Sequence, residues 1–331
     1  MRNKRISKVA IIISLVLVLA LALPFLGACQ TGMKYKIGIT QIVTHPALDS
    51  AREGFISVLA AEGFVEGQNV EYIRRNAEGD MSTAASIAEY FVAEKVDLIL
   101  SIATPTSQAV VAAVEGTDIP VVFNSVTEPQ TAGLVASWEN PGGNVTGVSD
   151  MAPVEPQVQL IMQIAPDTKK LGVIYNAGEV NSVVQVEMLK DIIDKYGLTV
   201  VEATAAGTAD VLAAAQSLVG RVDTIWVPAD NTAVAAFESI VMVGEENSIP
   251  VFAADVATVE RGAIGCYGLD YTVVGEESGK IAVRILRGEK PADIPVQMVP
   301  LDELYFNKGA AERMGVTIPQ DLLAQATNVI E

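Results

Sequence analysis

His45 is the single histidine of this 331-residue chain and the first residue to suggest chemistry. It lies in ITQIVTHPALDSAREGF, between an apolar run typical of a strand and a proline typical of a helix start. A histidine can act as a general base or a metal ligand near neutral pH. The position equally fits a residue that contacts a ligand, or one that ends a loop before a helix. The sequence alone leaves these roles open.

Partners for a catalytic or metal-binding histidine are scarce. The chain has only two cysteines, Cys29 and Cys266, which in practice excludes a structural zinc site. Ser50 lies on the helix that follows His45, where nothing in the pattern aims it as a nucleophile. No Gly-x-Ser-x-Gly, P-loop or dinucleotide-binding glycine motif occurs in its proper context. We therefore expect no enzyme, no metal and no cofactor.

A second set of polar residues lies in six loops that follow short apolar runs. These loops contain no lysine or arginine, and many of their hydroxyl, amide and acidic side chains stand at helix starts. Helix N-termini can hold a carboxylate without a basic side chain, and an acidic side chain can hold an ammonium group. This combination fits a zwitterion better than phosphate, sulfate or a dicarboxylate. The candidate ligand-binding residues are Thr40, Gln41, His45, Thr104, Thr106, Ser125, Tyr175, Asn176, Glu179, Asn181, Ser182, Asp230, Asn231 and Asp255.

The remaining part of such a ligand is less well defined by the residues. Aromatic side chains that could stack on it are few, and Tyr175 and Phe123 are better placed than Trp138, Trp226 or Tyr267. Aromatic residues usually pack in a core. The sequence does not separate an aromatic amino acid from a branched aliphatic one, or from an unrelated apolar solute.

The predicted strands and helices that position these loops occur as an internal repeat along the chain. Short Val- and Ile-rich runs alternate with Ala-rich helical patterns, which predicts βαβ units and a parallel sheet. KKLGVIYNAGEVNS parallels YKIGITQIVTHPALDS, VDTIWVPADN parallels VDLILSIATP, and NSIPVFAAD parallels TDIPVVFNS. Three matches in series indicate two copies of one lobe. We predict an α/β fold of two similar doubly wound parallel-sheet lobes joined by a hinge, with a cleft beyond the strands' carboxyl ends.

The chain divides into four predicted parts. Residues 1–28 form a lipoprotein signal peptide, and residues 29–34 form a linker after a lipidated Cys29. Residues 35–149, with about 273–296, form the first lobe, and residues 150–272, with about 297–331, form the second. Each lobe is therefore assembled from two separate stretches of chain.

The N-terminal segment has the pattern of a targeting signal. A basic start, MRNKRISK, precedes a long apolar run that ends in LGAC at Cys29, which is typical of a secretory signal. The cysteine resembles the lipidated residue of the bacterial lipobox; a transmembrane anchor is the alternative. We expect an exported protein anchored by lipid on Cys29 to the outer face of the cell membrane, or in the periplasm.

Charge limits the partners of the mature chain. Cleavage before Cys29 would remove four of 22 basic residues and none of 40 acidic ones, leaving a net charge near −22. Such a charge disfavours nucleic acids and anionic membrane surfaces as partners. Contact with the membrane is expected through the lipid anchor only, and the protein is expected to be a monomer.

Several motifs together resemble the type I periplasmic-binding-protein family. They are THPALD, ATPTSQA, VTEP, YNAGEVNS and the ending GLDYTVVGEESGKIAVRILRGEKPADIPV. The resemblance covers residues 35–331 and is greatest to exported ABC-transporter substrate-binding lipoproteins of the tryptophan and aromatic amino acid group. It implies capture of a small solute, lobe closure, and delivery to an ABC permease and its ATPase, which are separate chains. L-Tryptophan or L-phenylalanine is the favoured ligand.

The resemblance also implies roles for individual residues. Asn181 and Ser182 would hold the ligand's carboxylate, with Thr104 and Thr106 binding it from the other lobe. Asp255 or Asp230 would take the ammonium group, and Glu179 could do so as well. Three hinge crossings would fall near residues 148–151, 268–272 and 296–301.

Two other functions on the same fold deserve comparison. A sugar or nucleoside binder would use aromatic faces and arginine hydrogen bonds, and the absence of arginine from the six loops counts against it. A repressor would carry a DNA-binding helix-turn-helix before the lobes, and none is visible in this acidic chain. A sugar or nucleoside binding protein is the alternative that remains.

Overall fold

The computed structural model of the protein describes residues 35–331. The predicted signal peptide, linker and lipidated Cys29 lie outside the described residues. Within residues 35–331, no helix combines the length and apolar character that a membrane crossing would need.

Strands and helices alternate along the described chain. The strands are β1 (Tyr35–Gln41), β2 (Val70–Asn76), β3 (Leu98–Ile102), β4 (Val121–Asn124), β5 (Val145–Ser149), β6 (Lys170–Tyr175), β7 (Thr199–Thr204), β8 (Thr224–Val227), β9 (Val251–Ala253), β10 (Gly265–Gly268), β11 (Gln297–Met298), β12 (Glu303–Asn307) and β13 (Asn328–Ile330). The helices are α1 (Pro46–Ala61), α2 (Met81–Ala93), α3 (Thr104–Ala113), α4 (Val154–Ile164), α5 (Val180–Ile193), α6 (Val211–Leu218), α7 (Asn231–Ala235), α8 (Phe237–Asn247), α9 (Ala257–Glu260), α10 (Tyr271–Leu286), α11 (Lys308–Arg313) and α12 (Gln320–Leu323).

The two main sheets repeat one strand order. The first is parallel with the order β11–β5–β4–β3–β1–β2, and the second is parallel with the order β7–β6–β8–β9. Strands β2, β1, β3 and β4 therefore correspond to β7, β6, β8 and β9. A smaller sheet, β10–β12–β13, adjoins the second sheet, where Ile264 N donates to Val251 O. The predicted two-lobed α/β fold is confirmed.

Each lobe has its own hydrophobic core. The first core includes residues from Ile37 to Val148 and from Leu269 to Val296. The second includes residues from Val154 to Cys266 and from Phe306 to Leu322. The chain consequently passes between the lobes three times, near residues 150–153, 268–270 and 299–302.

Two predicted boundaries differ from the structure by a few residues. Gln297–Met298 was assigned to the second lobe, yet it pairs with Val148 and Ser149 at the edge of the first sheet. Helix α10 begins at Tyr271, within the stretch assigned to the second lobe, because Asp270 caps it by accepting a hydrogen bond from Thr272 N. Both stretches belong to the first lobe.

Helix α10 packs unusually closely on helix α1. A Cβ atom at Gly275 would overlap the carbonyl of Ala51, and one at Gly279 would lie 2.8 Å from Val58 Cβ. Glycine is required at such a close backbone approach. The packing brings the N-terminal ends of both helices, with His45 and Tyr271, to the same small cavity between the lobes.

Candidate ligand-binding cleft

Two cavities lie between the lobes, beyond the carboxyl ends of the strands. The outer cavity has a volume of about 630 Å³. The inner cavity has about 20 Å³, which is room for one water-sized group. Asn231 lines both cavities and marks the wall between them. Among the described residues that line them, none is lysine or arginine.

The outer cavity combines aliphatic, uncharged polar and acidic surface, and Glu179 lines it from the second lobe. Pro105 and Gln108 project from the start of α3, and residues 204–208 face them from the second lobe. Glu78 and Asp80 lie at the first lobe's rim, and Asp80 caps α2 by accepting from Thr83 N. The aliphatic lining consists of Ile42, Val43, Met81, Ala177, Ala205 and Ala206. A pocket of this size and character can enclose an apolar side chain.

The inner cavity is polar and receives residues from both lobes and from the crossings between them. The first lobe contributes His45, Leu48, Ser125 and Thr127, and the crossings contribute Asp150 and Tyr271. The second lobe contributes Asn181, Ala229, Asp230, Asn231, Val234 and Asp255. Within residues 35–331, no group of three or more histidine, cysteine or acidic side chains is arranged to hold a metal ion.

Glu179 is the best-satisfied acid of the second lobe. It stands before the first residue of α5 and is buried. Its Oε2 accepts from Asn181 Nδ2 (3.0 Å) and from the backbone and side chain of Asn231, and its Oε1 accepts from the backbone and hydroxyl of Thr232. These five bonds tie the starts of α5 and α7 together.

Asp230 lies beside Glu179 and caps α7. Its Oδ1 accepts from Ala233 N, and its Oδ2 accepts from Asn176 N and Ser182 Oγ, all at 2.6 Å. Burial, followed by the charge of Glu179, raises the pKa of Asp230 to about 7. The carboxyl is therefore partly protonated near neutral pH in this arrangement.

Asp150 and Asp255 both line the inner cavity, and the charge of Asp150 acts on the carboxyl of Asp255. Asp150 accepts from Tyr271 Oη (3.0 Å) and Thr127 Oγ1 (3.2 Å). Asp255 accepts from Ala257 N at Oδ1 (2.8 Å). Burial raises the pKa of Asp255 to about 6, with Asp150 adding to the rise, and burial also raises the pKa of Asp150. No cation among the described residues pairs directly with either carboxyl.

His45 is a neutral ring in the closed cleft. Burial, and then the charge of Arg261, lowers the pKa of His45 to about 4. Its Nδ1 is buried and has no hydrogen-bond partner among the described residues. The side chain of Asn231, which comes from the second lobe, partly offsets this lowering of the pKa of His45. The residue stands at the N-cap of α1 but forms no capping hydrogen bond through its side chain.

The first lobe's strand ends carry strained backbone. Glu78, Ala103 and Ser125 follow β2, β3 and β4, and their φ angles are 52°, 79° and 55°. Non-glycine residues in this region are costly and concentrate at functional sites. Next to Ala103, the hydroxyl of Thr104 is buried without a hydrogen-bond partner, as is that of Thr40.

Several candidates do not offer their side chains to the cavities. Gln41 binds Val43 O, Asp49 and Arg52, and lies in a separate surface pocket with Arg74 and Arg75. Thr106 Oγ1 donates back to Ile102 O within its own helix turn. Tyr175 points its hydroxyl to Glu202 on the neighbouring strand. Periodicity places these residues near strand ends but does not say which way each side chain turns.

Asn181 and Ser182 already form hydrogen bonds within the second lobe, and their expected role in holding a carboxylate stays a prediction. Asn181 Nδ2 donates to Glu179 and Ala229 O, and Ser182 Oγ donates to Asp230. Two buried acids at this helix start would also repel a ligand's carboxylate. The N-terminus of α3, with Thr104, has no such acid and is the better place for it.

Other candidates hold together one side of the cleft. Asn176 binds Asp230, Thr232 and its own turn, and it lines the outer cavity. Ser125 lines the inner cavity and donates to Asn124 Oδ1 (2.5 Å).

The aromatic residues considered for stacking lie elsewhere. Trp226 and Phe123 are buried in the cores, and Trp138 donates a hydrogen bond to Glu128.

Sequence reasoning missed Asp150, Thr127 and Tyr271. Asp150 directly follows β5 at a crossing, and Tyr271 is the first residue of α10, directly after a crossing, so neither lies in the six loops. The repeat that revealed the loops has no counterpart at the crossings. An acid at the end of a buried strand, as in VSD, was the available signal.

Residues 36–330 match the family model of the ABC transporter substrate binding proteins. The chain belongs to this family. The solved structures most similar to it have the type I periplasmic-binding-protein fold, as the sequence motifs suggested. Members of the family are solute-binding transport proteins, and a small-molecule ligand is therefore the proper occupant of the cleft.

Two relatives of this substrate-binding protein have named ligands. A tyrosine-binding protein of Clostridioides difficile is 42% identical over 272 residues, which are 82% of this chain and 78% of that one. The structure of a domain from Streptococcus pneumonia in complex with L-Trp is 38% identical, covers 90% of this chain and 100% of that chain, and superposes with a TM-score of 0.86.

A third relative shows the effect of lobe orientation. The ligand-free, open structure of a Clostridium difficile substrate-binding protein is 40% identical and covers 89% of this chain and 99% of that chain, yet its TM-score is 0.66. The L-Trp complex superposes better at nearly the same identity. The lobes of the present structure therefore stand closer to the ligand-bound arrangement than to the open one.

Proposed function

We propose that this protein binds an aromatic amino acid in the closed cleft and delivers it to an ABC permease. The observation that carries the proposal is the division of the cleft into two cavities. The inner one, about 20 Å³, is small, polar and acidic, and the outer one, about 630 Å³, has aliphatic side chains on its walls beside Glu78, Asp80 and Glu179. An ammonium group suits the first cavity and an aromatic side chain suits the second. Relatives named for tyrosine and L-Trp support the same ligand class.

The carboxylate of the ligand is assigned to the first lobe. Helix α3 leaves N–H groups in its first turn without intrahelical acceptors, and its N-terminus carries a partial positive charge. Thr104 adds a buried hydroxyl that has no partner among the described residues. Pro105 and Gln108 of the same helix line the outer cavity, so this end of the helix faces the ligand's space.

Binding should be measured on the mature protein, residues 29–331, by thermal shift and then by calorimetry. We expect stabilisation by L-tyrosine, L-tryptophan or L-phenylalanine, because a ligand that binds only the folded state raises Tm by mass action. Sugars and nucleosides test the alternative on the same fold. A shift with one of these, and none with any amino acid, would overturn the proposed function.

Export and anchoring are a separate part of the proposal. The basic and apolar start of the chain and LGAC at Cys29 support cleavage and lipidation, outside the described residues. Labelled palmitate should be incorporated in cells that express the protein, and Cys29→Ala should abolish incorporation. A labelled Cys29→Ala protein would refute the lipid anchor without touching the binding site.

The partners in transport are proposed to be an ABC permease and its ATPase, as separate chains, with the binding protein acting as a monomer. The family match to residues 36–330 supports the transport context. Crosslinking of the liganded protein to a candidate ABC permease expressed with it, compared with the empty protein, would test this. Equal crosslinking with and without ligand would argue against ligand-dependent delivery.

A further inference from the structure

We propose that Asp150 and Asp255 form a carboxyl pair that holds the ligand's ammonium group and makes closure of the lobes depend on it. The inference rests on the proposed function, because it assigns one end of an amino acid to the inner cavity. It concerns a residue on a crossing, Asp150, that neither lobe's repeated loops contain.

The position of Asp150 couples it to the hinge. It follows β5, where the chain leaves the first lobe, and it accepts a hydrogen bond from Tyr271, which follows the second crossing. Thr127 binds its other oxygen. Two crossings are thus joined through this carboxyl. Asp255 comes from the second lobe and reaches the same cavity after β9.

The hydrogen bonds distinguish Asp255 from the other acids of the cleft. Glu179 accepts five hydrogen bonds and Asp230 accepts three, from donors that all belong to the second lobe. Those acids keep their donors whether the cleft is open or closed. Asp255 accepts one hydrogen bond, at Oδ1, and its Oδ2 has no further partner among the described residues.

The size of the inner cavity selects the group that fits. About 20 Å³ accommodates a single water-sized group, such as an ammonium group, and not the body of an amino acid. A primary ammonium group has three N–H donors, which matches carboxyl oxygens on two sides and a hydroxyl or amide on a third. Ser125 and Asn231 line the same cavity and supply such acceptors.

No positively charged side chain among the described residues compensates the two carboxyls directly. Arg261 acts on Asp255 from a distance but is bound to Glu238 and Val234 O. His45 is neutral, and the buried Cys266 and Tyr271 carry no positive charge. Closing the lobes without a ligand brings two carboxyls together away from water, which is costly. A cation between them removes that cost, so closure becomes favourable when an amine is bound.

The test compares Asp150→Asn and Asp255→Asn with the wild type and with Asp191→Asn, an exposed acid on α5. Calorimetry measures affinity for L-tyrosine and L-tryptophan and for their deaminated analogues, 3-(4-hydroxyphenyl)propanoate and 3-(indol-3-yl)propanoate. Small-angle scattering of the empty proteins measures closure. Circular dichroism and Tm establish that each variant folds.

We expect either cleft variant to bind the amino acid about 30-fold or more weakly, the loss typical of truncating a buried charged pair. The deaminated analogues should lose far less, so the preference for an amine shrinks. The empty variants should be more compact than the empty wild type, because the repulsion between the two carboxyls is removed. A carboxyl with a merely structural role would not produce weaker binding together with easier closure.

Three results would overturn the inference. Amino acid affinities within about 3-fold of wild type in both variants would remove the ammonium assignment while the proposed function stands. Equal losses for the amino acids and their deaminated analogues would assign the pair to structure. If the wild type bound no aromatic amino acid, the proposed function would fall, and this inference with it.

Discussion

The two lobes share a strand order but present opposite surfaces to the cleft. The second lobe brings Glu179 and Asp230, whose oxygens are held by eight hydrogen bonds from its own residues. The first lobe has strained backbone at Glu78, Ala103 and Ser125, and the buried hydroxyls of Thr40 and Thr104 have no partner among the described residues, although neither threonine is among those that line the two cavities. Glu179 and Asp230 are thus satisfied within their own lobe, whereas the two threonine hydroxyls of the first lobe are not.

This difference gives the cleft a polarity that matches a zwitterion. An acidic half suits an ammonium group, and a half with free N–H and hydroxyl donors suits a carboxylate. The duplicated fold supplies the two edges, and the residues placed on them decide which end of the ligand faces which lobe. Substitutions within the second lobe's network of Glu179 and Asp230 should therefore cost mainly stability, whereas loss of the unpaired Thr104 hydroxyl in the first lobe should cost mainly affinity.

The largest effect on stability should come from Gly275→Val, which disrupts the close packing of α10 on α1 in the first lobe. The new side chain would overlap the carbonyl of Ala51 and force α10 away from α1. We expect a loss of at least about 3 kcal/mol in the free energy of unfolding, above the usual range for overpacking because backbone must move. Urea denaturation of the purified protein measures it.

A glycine of the second lobe provides the matched control. Gly207 has no heavy atom within 4 Å of a built Cβ and no positive φ. Gly207→Ala should change the free energy of unfolding by less than about 0.5 kcal/mol. Comparable losses in both variants would contradict the close approach of α1 and α10.

The next effect should come from the second lobe's network, with Glu179→Ala. Five donors on Asn181, Asn231 and Thr232 lose their acceptor in a buried site. We expect the free energy of unfolding to fall by about 2 kcal/mol, the cost of leaving buried polar groups unpaired. Thermal unfolding of the empty protein measures it.

Glu187→Ala is the control for this prediction, since Glu187 forms an exposed salt bridge with Lys190 on the same helix. Its removal should cost less than about 0.5 kcal/mol. If Glu179→Ala were as mild as Glu187→Ala, the second lobe's acids would not be the internally satisfied half of the cleft.

These features were not equally readable from the sequence. The repeat of YKIGITQIV in KKLGVIYNAG predicted the doubled lobe, because βαβ units have a strong local pattern. It also placed Glu179, Asp230 and Asp255 at the cleft, since parallel strands end at one edge. The family motifs added the aromatic amino acid group, which the composition alone left open.

Side-chain direction and chain crossings were not readable. Tyr175 is at the right strand end, but its hydroxyl turns to Glu202 on the neighbouring strand. Asn181 and Ser182 are at the right helix start, yet they serve acids of their own lobe. Asp150 depends on the meeting of two crossings that are 121 residues apart. Each of these outcomes is set by tertiary contacts that no local pattern records.

A smaller effect should separate the two halves by affinity, with Thr104→Val. The substitution removes a buried hydroxyl that has no partner in the described structure and keeps the side chain's shape. The empty protein should be as stable as wild type within about 0.5 kcal/mol, while affinity for the aromatic amino acid should fall about 5- to 10-fold, the worth of one hydrogen bond. Calorimetry and thermal unfolding give the two values.

Ser182→Ala is its counterpart in the second lobe. Ser182 Oγ donates to Asp230 at 2.6 Å, so its loss should lower the free energy of unfolding by about 1 kcal/mol and change affinity less than Thr104→Val does. The reverse pattern, with Thr104 needed for stability and Ser182 for affinity, would invert the comparison of the lobes.

The smallest effect is the pH dependence of closure in the empty protein, to which the lobes contribute with opposite sign. Asp230 and Asp255 line the inner cavity between the lobes, and their pKa values of about 7 and about 6 belong to this closed form. A group whose pKa is raised on closing takes up a proton, so these acids favour closure as the pH falls from 8 towards 6. His45 has a pKa lowered to about 4 in the closed form, so it must release a proton and opposes closure below about 6.5.

The empty protein should therefore become more compact between pH 8 and pH 6.5, by about 0.5 kcal/mol in the closure equilibrium, and should gain further below that, because two acids take up protons while one histidine releases one. Small-angle scattering across this range measures the change. Asp230→Asn should flatten the response above pH 6.5, because it removes the group that titrates near 7, whereas His45→Gln should extend the compaction to lower pH. If the two variants exchanged these effects, the pH response would not divide between the lobes as their buried groups require.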